Sequence, residues 1–305
     1  MPKSLTGVLP IVHTPFLPDD SIDTASLRRE IDWALHTGAD GVCTGMVSEL
    51  LRLTCRERIE LTATIADWNA GRGVVVAGVG AESTKQALEY ARAARAAGCD
   101  AVMAIPPVST ALPDAPLFEY FATLAEGVEL PLIVQDASGY VGRPIPLEIC
   151  VQLLDRFGPD KILFKPEANP VGPRLSALRE VSGERARIFD GSGGIALVDC
   201  YRRGIVGTMP GMEFLAGVVA LWRALQNGDE QATYRLYFPI CALVSLQLQA
   251  GLDGFLAVEK YVLAKRGLFD HDVRRKPYAW ELDDQTRQEL DRLLGHLEAA
   301  LAASP

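Results

Sequence analysis

The 305-residue chain is poor in the residues on which several common chemistries depend. It has four histidines, and only His13 falls near the end of an expected strand. Histidine relays and Ser-His-Asp triads therefore lack their parts, and His13 reads as a structural residue of the first strand. Six cysteines (Cys43, Cys55, Cys99, Cys150, Cys200, Cys241) lie far apart, several inside apolar segments such as Gly98-Cys99-Asp100-Ala101-Val102. Without a CxxC pair or a Cys/His cluster, neither a disulfide framework nor a zinc site is expected. The densest basic run, Arg274-Arg275-Lys276, is brief and ends at Pro277, and the net charge is −9. Nucleic acid is not an expected partner. The start, Met1-Pro2-Lys3-Ser4, has no signal-type apolar core, and no apolar run reads as a membrane span. A soluble, cytoplasmic protein with no membrane partner is the expectation.

What is present is a regular alternation. Apolar residues make up 49% of the chain, enough for a large core. A β-branched segment at Gly7–Thr14 precedes a helix capped by Asp23 and stopped by Gly38. Further strands are expected at Asp40–Gly45, Gly73–Gly80, Ala101–Ile105, Leu132–Asp136, Lys161–Glu167, Arg187–Asp190 and Ile205–Met209, with helical patterns between them. Gly38-Ala39-Asp40-Gly41-Val42 recurs as Gly98-Cys99-Asp100-Ala101-Val102, a helix stop followed by a strand start. Eight strands at steps of roughly 17–34 residues indicate an α/β fold, a (β/α)8 barrel. A doubly wound sheet fits less well, because no GxGxxG follows the first strand. Beyond Gly228 only helical patterns remain, near 229–248, 252–266 and 284–301. The expected organisation is a barrel over residues 1–226 and a helical domain over 227–305, packed together without a linker.

Barrel enzymes work at the C-terminal ends of their strands. Those ends carry Gly45-Met46-Val47-Ser48-Glu49, Gln135-Asp136, Lys165 with Glu167, Asp190-Gly191-Ser192-Gly193-Gly194 and Gly207-Thr208-Met209. Lys165 is the only lysine among them, in a strand apolar on both faces. An ammonium there is costly, and a lysine that spends time neutral can form an imine with a carbonyl substrate. Glu49 could act as a base or hold its own loop through backbone N–H groups. Asp136, Glu167 and Glu49 could suggest a metal, but Lys165 would compete with the cation, so no metal is expected. The glycines after Asp190 could cradle a phosphate, or more simply leave room above the barrel for a substrate.

With Gly45–Glu49, Gln135-Asp136 and Phe164-Lys165 in place, the chain resembles the dihydrodipicolinate synthase / N-acetylneuraminate lyase superfamily of class I aldolases and dehydratases. The resemblance spans nearly the whole chain. It takes in Gly7 to Thr14-Pro15-Phe16, Leu53-Thr54, Glu57-Arg58, Glu259-Lys260-Tyr261 and Lys276-Pro277. It implies a barrel with a C-terminal helical domain, a homotetramer, a Schiff base at Lys165 without any cofactor, and a 2-keto-acid carboxylate site in the loop after strand two.

The departures carry the functional reading. Met46 and Val47 stand where the synthase and lyase branches have hydroxyl residues, which leaves the carboxylate to backbone N–H groups and Ser48. Gln135 replaces the strand-five tyrosine, Pro107-Val108-Ser109 replaces the tyrosine loop, and Tyr140 stands where the synthase arginine would be. The pattern Val134-Gln135-Asp136, Phe164-Lys165 and Gly207-Thr208-Met209 is more similar to the branch that dehydrates 2-keto-3-deoxy sugar acids, such as L-2-keto-3-deoxyarabonate dehydratase. The expected activity is dehydration of a small 2-keto acid, with Lys165, Ser48 and Gln135 catalytic. Met46, Val47, Glu49, Asp136, Gly191, Gly207 and Thr208 would line the substrate site. The base at C3 is open between Lys165, Ser48 through water, and Glu49. Pyruvate-releasing aldol cleavage, deamination of an imine acid, and non-catalytic keto-acid binding are the alternatives.

Overall fold

A computed structural model describes residues 3–139 and 143–303. Tyr140, one of the positions singled out above, lies outside them. Eight parallel strands alternate with helices: β1 (Gly7–Val8), α1 (Thr24–Thr37), β2 (Gly41–Cys43), α2 (Cys55–Asn69), β3 (Val74–Gly78), α3 (Thr84–Ala96), β4 (Ala101–Ala104), α4 (Asp114–Gly127), β5 (Leu132–Asp136), α5 (Leu147–Phe157), β6 (Ile162–Pro166), α6 (Val171–Val181), β7 (Phe189–Asp190), α7 (Leu197–Arg202), β8 (Gly207–Thr208) and α8 (Leu215–Gln226). Three helices follow, α9 (Glu230–Gln247), α10 (Gly251–Lys265) and α11 (Asp284–Ala302). The strands form two ladders, β1-β8-β7 and β2-β3-β4-β5-β6. Bridges Ile11↔Cys43 and Phe164↔Ile188 close them into the expected (β/α)8 barrel.

The outer strands are shorter than the β-branched runs suggest. Pro10 and Pro210 have no N–H to give, so the β1–β8 ladder thins to single bonds such as Leu9 N–H to Thr208 O (2.9 Å) and Ile11 N–H to Pro210 O (2.7 Å). The repeated Gly-x-Asp pattern has a local cause. Gly38 and Gly98 take left-handed conformations that end α1 and the turn after α3. Asp40 and Asp100 then accept the backbone N–H of Val8 (2.8 Å) and Val75 (2.9 Å), each tying one strand start to its neighbour.

Alternation along the strands sorts side chains into two layers. Leu9, Ile11, Cys43, Val76, Met103, Ile133, Leu163, Phe189 and Met209 fill the barrel. Val42, Val75, Val102, Val134, Ile162 and Phe164 face the helices. The stretch Glu230–Lys265 is long and apolar enough to cross a membrane by length and composition alone, contrary to the sequence expectation. In the fold it is two helices, α9 and α10, and Leu236, Ile240, Leu243 and Val244 of α9 are buried against the bundle.

Buried charge fastens α10 to the mouth of the barrel. His13, at the end of the first strand segment, has Nδ1 3.0 Å from Glu30 Oε1 of α1 and Nε2 2.9 Å from Glu259 Oε2 of α10. The next residue, Lys260, lies 3.2 Å from Glu49 Oε1, donates to the Thr14 carbonyl and sits over the Phe16 ring. Burial alone would lower the His13 pKa, but the flanking carboxylates of Glu259 and Glu30 outweigh it and raise it to about 10. The folded state therefore holds a proton that the unfolded chain releases above the ordinary value of 6.5. This stabilisation is complete below pH 6.5 and is lost as the pH rises towards 10. The unfolding free energy from urea titrations should fall across that window by an amount on the order of a few kcal/mol. His13→Gln should be less stable at pH 6 and should lose that slope; an unchanged slope in the variant would refute the assignment.

Candidate active site

The mouth of the barrel holds a small cavity of about 30 Å3. It is lined by Ile11, Met46, Val47, Gln135, Lys165 and Glu167 on the barrel side, and by Glu213, Leu252, Phe255 and Glu259 opposite. A second hollow shares Glu167, Gly191 and Phe255 with it and continues past Ser192 and Ile195 to Leu248. A larger cleft opens elsewhere, between Asp19, Asp20 and the 272–287 segment. Its ionic groups face solvent, and no strand end reaches it, so it is not the site.

Strand β6 builds the centre. Leu163, Lys165 and Glu167 fall on one side of the chain by the period of two, with Leu163 in the barrel core below. Lys165 and Glu167 are 4% and 8% exposed, and Lys165 Nζ lies 3.4 Å from Glu167 Oε1. On β5, Gln135 pairs in register with Lys165 and donates from Nε2 to Glu167 Oε2 at 2.6 Å. Burial raises the Glu167 pKa, while the Lys165 charge and the Gln135 hydrogen bond oppose that rise. Gly191 closes the arrangement from β7. A Cβ there would stand 2.5 Å from Lys165 Cε and 2.6 Å from Glu167 Oε1, so only glycine leaves the pair its space.

Several residues expected at the site are placed elsewhere. Ser48 is fully buried: its Oγ donates to the Val12 carbonyl and accepts the Gly45 N–H at 3.0 Å, which shapes the loop but does not face the cavity. Glu49 turns towards the appended helices, meeting Lys260, the Arg275 N–H (3.0 Å) and Arg52 (3.4 Å). It holds its loop and is not a base. Asp136 follows Gln135 and so faces the helical layer, where it accepts the N–H groups of Ser138 (3.0 Å) and Ile145 (2.9 Å). Gly207 lies against the backbone of Gly7 and the ring of Phe189, a close strand contact. Thr208 donates to Asp190 Oδ2 at 3.0 Å and fixes β7 to β8. Met46, Val47, Gln135, Lys165 and Gly191 do meet at the cavity.

Three carboxylates complete the wall. Glu167 is legible in the sequence only through its i, i+2 spacing from Lys165. Glu213, just after β8, carries no local signal, and Glu259, on α10, enters the sequence reading only as part of the Glu259-Lys260-Tyr261 resemblance, with no role attached. Glu213 Oε1 accepts from Gln247 Nε2 at 2.9 Å, and Oε2 has no hydrogen-bond partner. Burial, and then the negative charge of Glu259, push its pKa up to about 7. His13, Glu213 and Glu259 bring ligand-type atoms within 4.8 Å of one another. Both His13 nitrogens face carboxylates, however, so the imidazolium has no lone pair to offer a metal while that network stands.

The arrangement is a buried amine beside a buried carboxylate, under a cover of apolar and acidic groups, with the fold of a barrel lyase. A family model described as the dihydrodipicolinate synthetase family matches residues 4–297. L-2-keto-3-deoxyarabonate dehydratase of Azospirillum brasilense is 28% identical over 292 residues, covering 93% of this chain and 92% of the relative. The 4-hydroxy-tetrahydrodipicolinate synthase of Chloroherpeton thalassium is 25% identical over 307 residues, 99% of each chain. The crystal structure of dihydrodipicolinate synthase from Rhodopseudomonas palustris aligns with a TM-score of 0.84 at 29% identity, over 96% of this chain and 97% of that one. With its match to the family model running over nearly its whole length, this chain belongs to the dihydrodipicolinate synthetase family.

Proposed function

We propose that the protein is a Schiff-base hydro-lyase that removes water from a 2-keto-3-deoxy sugar acid. The observation that supports this most directly is Lys165 held 3.4 Å from Glu167 with no cation other than Lys165 among the cavity-lining residues. Lys165 Nζ, its proton passed to Glu167, attacks C2; one proton then moves from nitrogen to the C2 oxygen and Glu167 returns its own, so that this oxygen leaves as water, the iminium forms and Glu167 is a carboxylate again. The iminium draws electrons from C3, and the Glu167 carboxylate takes the C3 proton, giving an enamine. The enamine expels the C4 hydroxyl, which leaves as water with the proton that Glu167 has gained. Rearrangement and hydrolysis of the resulting imine free Lys165 and a deoxygenated keto acid. No cofactor or metal is needed for these steps. Backbone N–H groups of Met46 and Val47 would hold the substrate carboxylate, since Ser48 is turned away.

Gln135 acts here as a positioning residue. Its amide holds Glu167 and cannot readily carry a proton. Retro-aldol cleavage needs a group that takes the C4 hydroxyl proton while the C3–C4 bond breaks, and an amide at this position does not serve. The relative at 28% identity, itself a 2-keto-3-deoxy sugar acid dehydratase, supports the same reading; the dihydrodipicolinate synthases among the relatives support the family only.

Borohydride with pyruvate or a longer 2-keto acid should add one ligand per chain at Lys165, and Lys165→Ala should abolish both adduct and turnover. Glu167→Gln should keep the adduct and lose roughly 10²–10⁴ in rate. Mass spectrometry of the product should show loss of one water with the carbon skeleton intact. Stoichiometric pyruvate, detected with lactate dehydrogenase, would replace dehydration by aldol cleavage. Chelators should leave the rate unchanged.

We also propose a homotetramer in a reducing, cytoplasmic setting. Phe238 (64% exposed) stands beside Tyr234 and Tyr237 on α9, an exposed aromatic cluster suited to self-association. All six cysteines are free thiols. Light scattering should report about four times the 33.0 kDa chain mass, and a monomer at micromolar concentration would contradict the assembly.

A further inference from the structure

The cavity facing Lys165 is acidic at its far wall. Among its lining residues, Lys165 is the only cation, and forming the imine commits that nitrogen to the substrate. Three carboxylates line the same space: Glu167, Glu213 and Glu259. Glu213 and Glu259 are 2% and 1% exposed, and both converge on the Cα of Gly211, where any side chain would collide with Glu213 Oε2. Gln247 fixes Glu213 through Oε1 and leaves Oε2 as a buried acceptor with no hydrogen-bond partner. A buried acceptor left unpaired is costly, so it is usually met by a donor that the resting protein does not supply. Glu259 cannot relieve it, being an acceptor itself and engaged with His13 at 2.9 Å.

Resting on the reading of Lys165 as the imine-forming residue, we propose that Glu213, backed by Glu259, sets substrate choice. Glu213 Oε2 accepts a hydrogen bond from a distal hydroxyl of the 2-keto acid, and the acidic wall rejects acids that end in a second carboxylate. The substrate class is thus a hydroxylated 2-keto monocarboxylic acid. A second carboxylate in this cavity would meet Glu213 and Glu259 in a water-poor space; the nearby His13 cation is already shared between Glu30 and Glu259, and among the described lining residues there is no arginine or further lysine to offset the charge. A hydroxyl instead supplies the donor that Glu213 lacks. Burial and the neighbouring Glu259 raise the Glu213 pKa to about 7, so the charge that turns away a second carboxylate is complete only above that pH, where the trapping is run.

The test is borohydride trapping of the full chain with 5-hydroxy-2-oxopentanoate and 2-oxoglutarate, which share a carbon count and differ at C5, each below saturation. Intact mass resolves the two adducts in one competition. Wild type should trap the hydroxy acid in preference by at least about tenfold. Glu213→Gln should narrow that ratio to within about threefold, and Glu213→Asp, which keeps the charge, should retain most of it. Equal trapping by wild type would overturn the proposal without any variant, and so would a ratio unchanged in Glu213→Gln. Pyruvate has no distal group, so its adduct with wild type reports on the imine alone. If pyruvate is trapped and the two longer acids are not distinguished, the Lys165 reading stands and the Glu213 reading falls. If no acid is trapped at all, both fall.

Discussion

A charge inside a protein survives only where an opposite charge or a set of hydrogen bonds replaces the water it has lost, and the mouth of this barrel is built around that requirement. His13 between Glu30 and Glu259, and Lys260 against Glu49 and the Thr14 carbonyl, place buried ions from β1, α1, the loop after β2 and α10 in contact. No one of these elements can leave without exposing a partner's charge to an apolar surrounding. Such networks add little net stability over a well-packed apolar core, but breaking one partner is expensive. Their effect here is on position. Two consecutive residues, Glu259 and Lys260, fix the rotation of α10 about its axis, because their side chains must reach two different acceptors.

That rotation has a consequence for the cavity. Leu252, Phe255 and Glu259 are spaced i, i+3 and i+7, so they share one face of α10, and all three line the space above Lys165. The appended helices are therefore part of the site. They cover the Lys165 amine and supply the acidic far wall, while the barrel supplies Lys165, Gln135 and Glu167. Loss of α10 from its seat would open the amine to solvent and remove Glu259 at once.

Much of the fold could be read from the chain before the coordinates. Hydrophobic alternation, the glycine stops and the rhythm of strands and helices gave the barrel, because each is a local property of the backbone. The prolines that shorten β1 and β8 are also local, yet their effect depends on which neighbour's N–H goes missing, and that is set only when the barrel closes. The site divides along the same line. Lys165 stands out as a strand-end lysine, and Gly191 as a glycine in a run of them. Ser48, Glu49 and Asp136 have the right chemistry at the right strand ends but the wrong direction. Asp136 is one residue past Gln135, and a single step along a strand turns a side chain from the barrel to the helices. Glu49 has φ +56°, in the left-handed region, which sends its carboxylate to Lys260 and the Arg275 N–H. Glu213 and Glu259 reach the cavity through contacts distant in sequence, for which no short pattern exists.

The same geometry sets how the amine and carboxylate can share protons. Lys165 and Glu167 lie on one strand face with Pro166 between them, so their separation is fixed by the pleat and not by loop motion. Gln135, in register on the adjoining strand, holds the second oxygen of Glu167 and leaves Oε1 towards Lys165. One carboxylate oxygen is thus anchored and the other faces the Lys165 amine. In the proposed dehydration, a carboxylate held in this way would need no reorganisation between taking a proton from C3 and returning it to a departing hydroxyl on the same face, which is the economy that electrostatic preorganisation provides. An aldol cleavage would ask the strand-five residue to take part in that transfer, and Gln135 is already committed to Glu167. In the proposed dehydration, then, the amide of Gln135 would not carry the proton itself; it would hold the neighbouring carboxylate where that group could.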